Sequence, residues 1–248
     1  MPGVNTKAWG RQAWTVIHAL ALAVDLALPR AQQRGGAAAR RRLVLLARAV
    51  FDDLKHAVPC IHCRRSYSGF VHMRGTVLSM VAGPDDRREH PFSHYAYLVH
   101  ERVNRKLFWQ DAAKSAADAV EKWSHHQPEF GREPYAVDVE SEAFRSALVN
   151  FVFYVLHDYD PVKQRDRCQH TLRFLKNVSV LLGLVGCSLA PAMAQMMRRP
   201  PAVDASLRAR LAWWHGFQTR VLPASHPCCM DLDDRARVCD IAVVKKCG

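Results

Sequence analysis

Two cysteines separated by two residues, in the run Pro59-Cys60-Ile61-His62-Cys63, are the part of this sequence best suited to chemistry. Cysteines at this spacing form redox-active disulfides in some proteins and bind zinc in others. His62, Arg64 and Arg65 add positive charge, which favours the thiolate form of cysteine. A zinc site needs two further ligands at short spacing, and the next cysteine along the chain is Cys168. The pattern therefore favours thiol redox chemistry, with zinc binding as the alternative.

The segments around the cysteine pair have helical periodicity. Residues 40–56 carry an apolar stripe with three- and four-residue spacing, and Pro59 stops this segment just before Cys60. We expect the pair to open a new helix that runs to about residue 73, where the helix dipole and the unpaired N–H groups stabilise a thiolate. One helical turn separates the two sulfurs, which can therefore close a disulfide. A thioredoxin-like fold also uses this spacing, but it needs a strand before the pair.

No segment shows convincing β-alternation, so the predicted fold class is all-α. We expect helices over 8–28, ending at Pro29, and over 40–56, 60–73, 93–109, 141–158, 164–184 and 206–221. The predicted domains are a four-helix bundle in residues 1–110, a linker in 111–140, a second helical domain in 141–222 and a cysteine-rich tail in 223–248. The second domain is either a degenerate repeat of the first or an unrelated helical unit.

The charge, the apolar segments and the cysteine content indicate the class of protein and its compartment. The chain has 35 basic and 23 acidic residues, a net charge of +12, which attracts acidic surfaces without singling out a partner. The basic residues form scattered pairs and one triplet, typical of solvated helix faces, so nucleic acid is not the expected partner. We find no signal peptide and no clean membrane span, and expect a soluble cytoplasmic protein. Structural disulfides are rare in a reducing compartment, so eight cysteines indicate that some of them are catalytic or bind metal.

Three segments together resemble the Erv/ALR family of FAD-linked sulfhydryl oxidases. They are Trp9 to His18, the run from Pro59 to Cys63, and His100 to Leu107. The resemblance covers about residues 8–109. It implies an Erv-type four-helix bundle that binds FAD beside the cysteine pair, oxidises thiol-containing protein substrates and reduces O2 to hydrogen peroxide. It also implies a homodimer formed through the first two helices.

The resemblance assigns roles to individual residues. Cys63 would lie next to the flavin, and Cys60, as the more accessible sulfur, would exchange disulfides with incoming thiols. The implied FAD contacts are Gly10, Arg11, Trp14 and His18 in the first helix, and His100, Val103, Asn104 and Lys106 in the fourth. Taken singly, the histidine and tryptophan of the first helix would be core residues. Their occurrence together with the other motifs favours the FAD site.

The chain departs from the family pattern upstream of His100, where it has Tyr95 and Tyr97, and at Glu101. The family's structural disulfide between the fourth helix and a short fifth helix is therefore absent. These differences affect the FAD contacts more than the redox role.

The remaining cysteines fall into two groups. Cys168 and Cys187 lie on or near helices and are expected to be small core residues or to form a structural disulfide. Four cysteines lie in the tail: Cys228, Cys229, Cys239 and Cys247. Many relatives in the family carry an extra cysteine pair on a mobile segment that passes electrons from client to C-x-x-C, which implies this role for the tail. Tail disulfides and metal-binding thiols are the alternatives.

A second helical domain and the lack of a targeting signal make the chain similar to the family members of large DNA viruses, which implies a viral, virion-associated protein. Two other functions stay open from the residues alone. One is a basic helical adaptor that retains an inactive oxidase fold and binds protein or nucleic acid. The other is a zinc-stabilised binding module.

Overall fold

The structure, a computed structural model, describes residues 6–73, 76–112, 137–157, 164–223 and 225–226. The regular elements in these ranges are helical and none is a strand, which confirms the all-α class. The helices are α1 (Thr6–Ala57), α2 (Ile61–Phe70), α3 (Pro91–Ala112), α4 (Glu142–His157), α5 (Arg165–Val185), α6 (Ala190–Met197) and α7 (Leu207–Val221), with a 3-10 turn at Leu78–Met80.

Helix α1 contains a break at Gly36, whose φ of 64° and ψ of −161° are not helical. The prediction that the first helix ends at Pro29 is therefore wrong. Pro29 lies on the exposed face of the helix, where a carbonyl group that loses its intrahelical bond can be hydrated. Glycine adopts a positive φ without steric cost, so the chain turns at Gly36 instead. The break divides α1 into an N-terminal arm, 6–35, and a C-terminal arm, 37–57.

A buried carboxylate fixes the start of α3 against the N-terminal arm. Asp25 accepts hydrogen bonds from the backbone N–H groups of Phe92, at 3.0 Å, and Ser93, at 2.8 Å. These groups lie in the first turn of α3 and have no partner within the helix. Desolvation raises the pKa of Asp25 despite these bonds. Asp25 thus fixes the position of α3 along α1. Because His100 lies on α3, this contact also determines where His100 lies relative to α1.

Both halves of the chain contribute to one hydrophobic core. Helix α1 packs more extensively against α5 and α4 than against α2 and α3. The apolar stripe of the C-terminal arm, including Leu43, Val50 and Leu54, is buried in this core. The stripe is therefore used for packing within the chain, and the homodimer stays a prediction. The helices after residue 141 share their core with α1. The predicted division into a domain at 1–110 and a second one at 141–222 therefore stays a prediction.

Two further features of the helices differ from what the sequence indicated. Helix α6 was not predicted; α5 ends at Gly186, which has a φ of 82°, and Pro191 lies in the first turn of α6. The residues from Trp9 to Ala57 are long and apolar enough to span a membrane, but 61% of the most apolar window is buried inside the protein. Buried core helices of soluble proteins have the same composition.

Candidate active site

The cysteine pair lies at the start of α2, as predicted. Cys60 is the N-cap residue, and the backbone N–H of Cys63 donates a hydrogen bond to its Sγ at 3.4 Å. Pro59 precedes the cap and separates α2 from α1. Both cysteines therefore lie at the positive end of the helix dipole, which favours a thiolate.

The two cysteines differ in exposure, and not in the expected sense. Cys60 is 1% exposed, whereas Cys63 is half-buried. The expectation that Cys60 is the more accessible sulfur is therefore wrong for this conformation. A substrate thiol can reach Cys60 only after the chain around it moves.

Cys63 borders a cavity of about 60 Å³ where α1, α2 and α3 meet. Four of the eight implied FAD contacts line the same cavity: Gly10, Trp14, Val103 and Lys106. The other lining residues are mostly apolar: Trp9, Ala13, Ile17, Val58, Ser66 and Tyr67. Three segments that are far apart in the sequence thus meet beside one sulfur.

Three aromatic rings from α1 and α3 form a cluster next to this cavity. Trp14 stacks on His100 with ring centroids 3.8 Å apart and an interplanar angle of 11°. His18 Nε2 lies 2.9 Å from His100 Nδ1. Desolvation, and to a smaller extent the charge of His100, lowers the pKa of His18 to about 3. Desolvation also lowers the pKa of His100 to about 4, so both rings are neutral at pH 7 and one donates to the other.

Two cationic side chains of α3 hold α2 in place. Lys106 Nζ donates to Ser66 Oγ at 2.5 Å, at the edge of the cavity. Arg102 donates to the carbonyl oxygen of Phe70 at 3.2 Å and also contacts Thr76 Oγ1. Carbonyl groups at the end of a helix have no partner within it, so Arg102 satisfies one of them. Helix α3 therefore holds α2 at its middle, through Ser66, and at its C-terminal end, through Phe70.

The other implied FAD contacts are not brought into the cavity. His18 and His100 belong to the aromatic cluster. Arg11 is exposed, and Asn104 is half-buried one turn after His100; neither lines the cavity. The tail cysteines Cys228, Cys229, Cys239 and Cys247 lie outside the described residues.

Sequence reasoning missed a buried tyrosine pair next to the site. Tyr67 Oη donates to the carbonyl oxygen of Phe51 at 2.8 Å and lies 3.1 Å from Tyr95 Oη. Desolvation is the main reason that the pKa of both phenols is raised. Tyr67 lines the cavity four residues after Cys63, a spacing that places both on one face of α2. That spacing was the available signal, and Tyr95, a departure from the family pattern, supplies its partner.

The remaining described cysteines are core residues. The Cys168 thiol contacts the carbonyl oxygen of Val203 at 3.0 Å, and the Cys187 thiol that of Val139 at 3.5 Å. Burial raises the pKa of Cys187 to about 11. In the part of the chain that the structure describes, no three His, Cys, Asp or Glu side chains are placed to hold one metal ion.

Two larger depressions lie away from the cysteine pair. One of about 490 Å³ is lined by charged side chains of α4 and by residues that follow α7, including Glu142, Arg145 and His226. The other, of about 320 Å³, lies between α1 and residues 137–140. Neither contains a cysteine, so the small cavity beside Cys63 is the candidate site.

Comparison with known proteins identifies no relative. No family model, no curated protein and no solved structure matches this chain.

The residues around the cavity fit a flavin by their chemistry. Apolar walls with Trp14 and Val103 suit a planar aromatic ring system, and the ammonium of Lys106 suits a phosphate. The space of about 60 Å³ holds only a few water molecules. A three-ring system therefore enters only when the cavity widens.

Proposed function

We propose that this protein is an FAD-dependent thiol oxidase that forms disulfides in protein substrates. The observation that carries the proposal is the position of Cys63. It belongs to a C-x-x-C pair at a helix N-terminus and borders a cavity lined by Gly10, Trp14, Val103 and Lys106. These are residues of the two motifs that the Erv/ALR resemblance associates with FAD.

The chain's own part in the reaction is thiol–disulfide exchange. A Cys60–Cys63 disulfide takes two electrons from two substrate thiols, which leave as a disulfide, and the pair becomes a dithiol. The N-terminus of α2 stabilises the thiolate of the reduced pair. An FAD held by Trp14, Val103 and Lys106 would supply the two-electron chemistry with O2 that gives hydrogen peroxide. The position of Cys63 at the border of the cavity supports its assignment as the sulfur next to the flavin.

The residues that would hold the cofactor have distinct tasks. Trp14 and Val103 supply apolar surface, and Lys106 supplies the positive charge at the edge of the cavity. His18 and His100 do not line the cavity; as neutral rings they hydrogen-bond to each other and join α1 to α3 beside it. Substrate thiols must gain access to Cys60, which is the more deeply buried of the pair.

The experiment follows O2 consumption and peroxide formation when dithiothreitol is added to protein reconstituted with FAD. We expect one O2 consumed for each dithiol oxidised, and no turnover in Cys60→Ser or Cys63→Ser. Cys187→Ala, which removes a buried thiol away from the cavity, is the matched control and should retain activity. Full activity in Cys63→Ser would contradict the proposal. Bound flavin without peroxide would favour the inactive adaptor, and bound zinc without flavin the zinc module.

A further inference from the structure

Two arginines hold the turn that joins α1 to the cysteine pair. Arg64 Nη1 donates to the carbonyl oxygens of Val58, at 2.8 Å, and Pro59, at 2.9 Å. Arg167, on α5, donates through Nε to the carbonyl oxygen of His56 at 3.1 Å and through Nη2 to that of Val58 at 3.4 Å. The two side chains thus bind three carbonyl groups, those of His56, Val58 and Pro59, in the turn just before Cys60.

Arg167 is held in this place by its surroundings. It is only 9% exposed, and its Nη1 donates to the side chain of Gln164 at 2.9 Å. One turn further along α5, His170 stacks on His56 with ring centroids 3.9 Å apart. Carbonyl groups at the end of a helix lack partners within it, and a planar guanidinium binds two of them at once. The second half of the chain therefore fixes the end of α1.

The turn controls where the sulfur of Cys60 lies. Cys60 caps α2 through the hydrogen bond from the Cys63 N–H to its Sγ. Without Arg167 the carbonyl group of His56 loses this donor and that of Val58 keeps only Arg64, so the turn can rotate and the cap weakens. A weaker cap stabilises a thiolate less, which disfavours the dithiol relative to the disulfide.

We propose that Arg167 is a positioning residue that sets how readily the Cys60–Cys63 disulfide is reduced. The inference rests on the proposed thiol–disulfide role of this pair and adds a residue outside the Erv-like segment. It gives the second half of the chain a function in the redox step beyond filling the core.

The test is a glutathione redox titration under anaerobic conditions, without flavin. Two glutathione thiols reduce the protein disulfide to two thiols and leave as glutathione disulfide, so electrons and protons balance. Trypsin releases residues 56–64, which contain Cys60 and Cys63 and no other cysteine, so mass spectrometry after alkylation reports this pair alone. We expect Arg167→Met to lower the equilibrium constant for reduction about tenfold, or about 30 mV. Alkylation of the reduced pair should also shift to higher pH.

Two other arginines provide matched controls. Arg173 ties α5 to Asp53 of α1 without contacting the turn. Arg210 is 2% exposed and donates to the carbonyl oxygens of Leu156 and Ala205, away from the cysteines. Arg173→Met and Arg210→Met should leave the equilibrium constant unchanged.

A more conservative variant guards against misfolding. Arg167→Lys keeps the charge but cannot bind two carbonyl groups as a fork, so it should shift the equilibrium in the same direction by a smaller factor. A wild-type equilibrium constant in both Arg167 variants, or in Arg167→Lys alone if Arg167→Met does not fold, would overturn the inference. An equal shift in Arg173→Met or Arg210→Met would also overturn it. Failure of Cys60 and Cys63 to form a disulfide at all would instead refute the proposed function.

Discussion

His18 Nε2 and His100 Nδ1 lie 2.9 Å apart, which joins the N-terminal arm of α1 to α3 beside the candidate cavity. His18 is 1% exposed. A hydrogen bond between two imidazoles needs one donor and one acceptor, so it exists only while at least one ring is neutral. Burial lowers the pKa of both groups, to about 3 and about 4. The contact therefore depends on pH.

Acid should destabilise the fold through this pair. The pKa values in the folded protein lie below the ordinary value of 6.5, so the unfolded chain binds more protons between pH 6.5 and about 4. The free energy of unfolding therefore falls as the pH falls through this window. At pH 5.5 the loss relative to pH 7.5 is about 1.4 kcal/mol for each histidine. Urea unfolding at a series of pH values measures it.

A variant pair isolates this contribution. His18→Gln keeps a hydrogen-bonding group near His100 but does not titrate, so the pH dependence should be reduced by about one proton. His100→Gln removes the other ring of the pair and should reduce the pH dependence in the same way. An unchanged slope in His18→Gln would show that the pair is not the cause.

The ion pair between Asp53 and Arg173 should stabilise the docking of α5 on α1. Asp53 is 1% exposed and accepts hydrogen bonds from Arg173 Nε at 3.1 Å and Asn177 Nδ2 at 3.2 Å. Arg173 is half exposed and can be hydrated, so Asp53→Ala should cost about 2 kcal/mol rather than the larger cost of an isolated buried charge. Chemical denaturation provides the measurement.

The neighbouring residue gives the control for this prediction. Asp52 pairs with Lys55 at 2.8 Å, and both side chains are partly exposed. Asp52→Ala should cost less than about 0.5 kcal/mol. Equal losses at positions 52 and 53 would mean that the contact between α1 and α5 does not depend on this buried carboxylate.

Lys106 should contribute to the affinity for FAD. Its Nζ lies at the edge of the cavity, 2.5 Å from Ser66 Oγ, and a charge-assisted hydrogen bond to phosphate contributes about 1.5–3 kcal/mol. Lys106→Met should therefore weaken FAD binding at least about tenfold, as measured by fluorescence titration of the flavin-free protein. Arg105→Met removes a neighbouring exposed cation that pairs with Glu101 and should change the affinity little. The same affinity in both variants would remove Lys106 from the site.

The C-terminal tail should matter for protein substrates and not for small ones. Cys228, Cys229, Cys239 and Cys247 all follow His226, which contacts Ser146 at 3.1 Å and Glu142 at 2.9 Å. Ending the chain after His226 keeps these contacts and removes the four cysteines. Oxidation of a reduced protein should slow, while oxidation of dithiothreitol continues at the wild-type rate. Equal loss with both substrates would rule out electron transfer through the tail.

The sequence allowed the local parts of this structure to be predicted, but not the contacts between its halves. Pro59 and the apolar periodicity correctly placed the cysteine pair at a helix start. Four of the eight FAD contacts that the resemblance implies line one cavity and four do not, and their role in binding FAD stays a prediction. The prediction that Pro29 ends the first helix was wrong, because a proline on an exposed helix face does not have to end the helix.

The contacts of Arg167 and Asp53 could not be predicted, because each is a polar residue on an amphipathic helix whose partner lies more than 100 residues away. The burial of Cys60 could not be predicted from the sequence either. Its spacing to Cys63 defines the chemistry, but the tertiary packing around the turn decides its exposure. Local patterns fix the elements, and long-range packing decides which side chains a substrate can reach.

The proposed oxidase function is tested most directly by an anaerobic titration of the purified, FAD-reconstituted protein with a dithiol, followed by its visible absorption spectrum. We expect the absorbance of oxidised flavin to be lost in proportion to the dithiol added, and to return when O2 is admitted with formation of hydrogen peroxide. In Cys63→Ser the flavin should stay oxidised throughout the titration. The proposed function would be contradicted if the protein bound no flavin, or if the dithiol bleached the flavin of Cys63→Ser as well as that of the wild type.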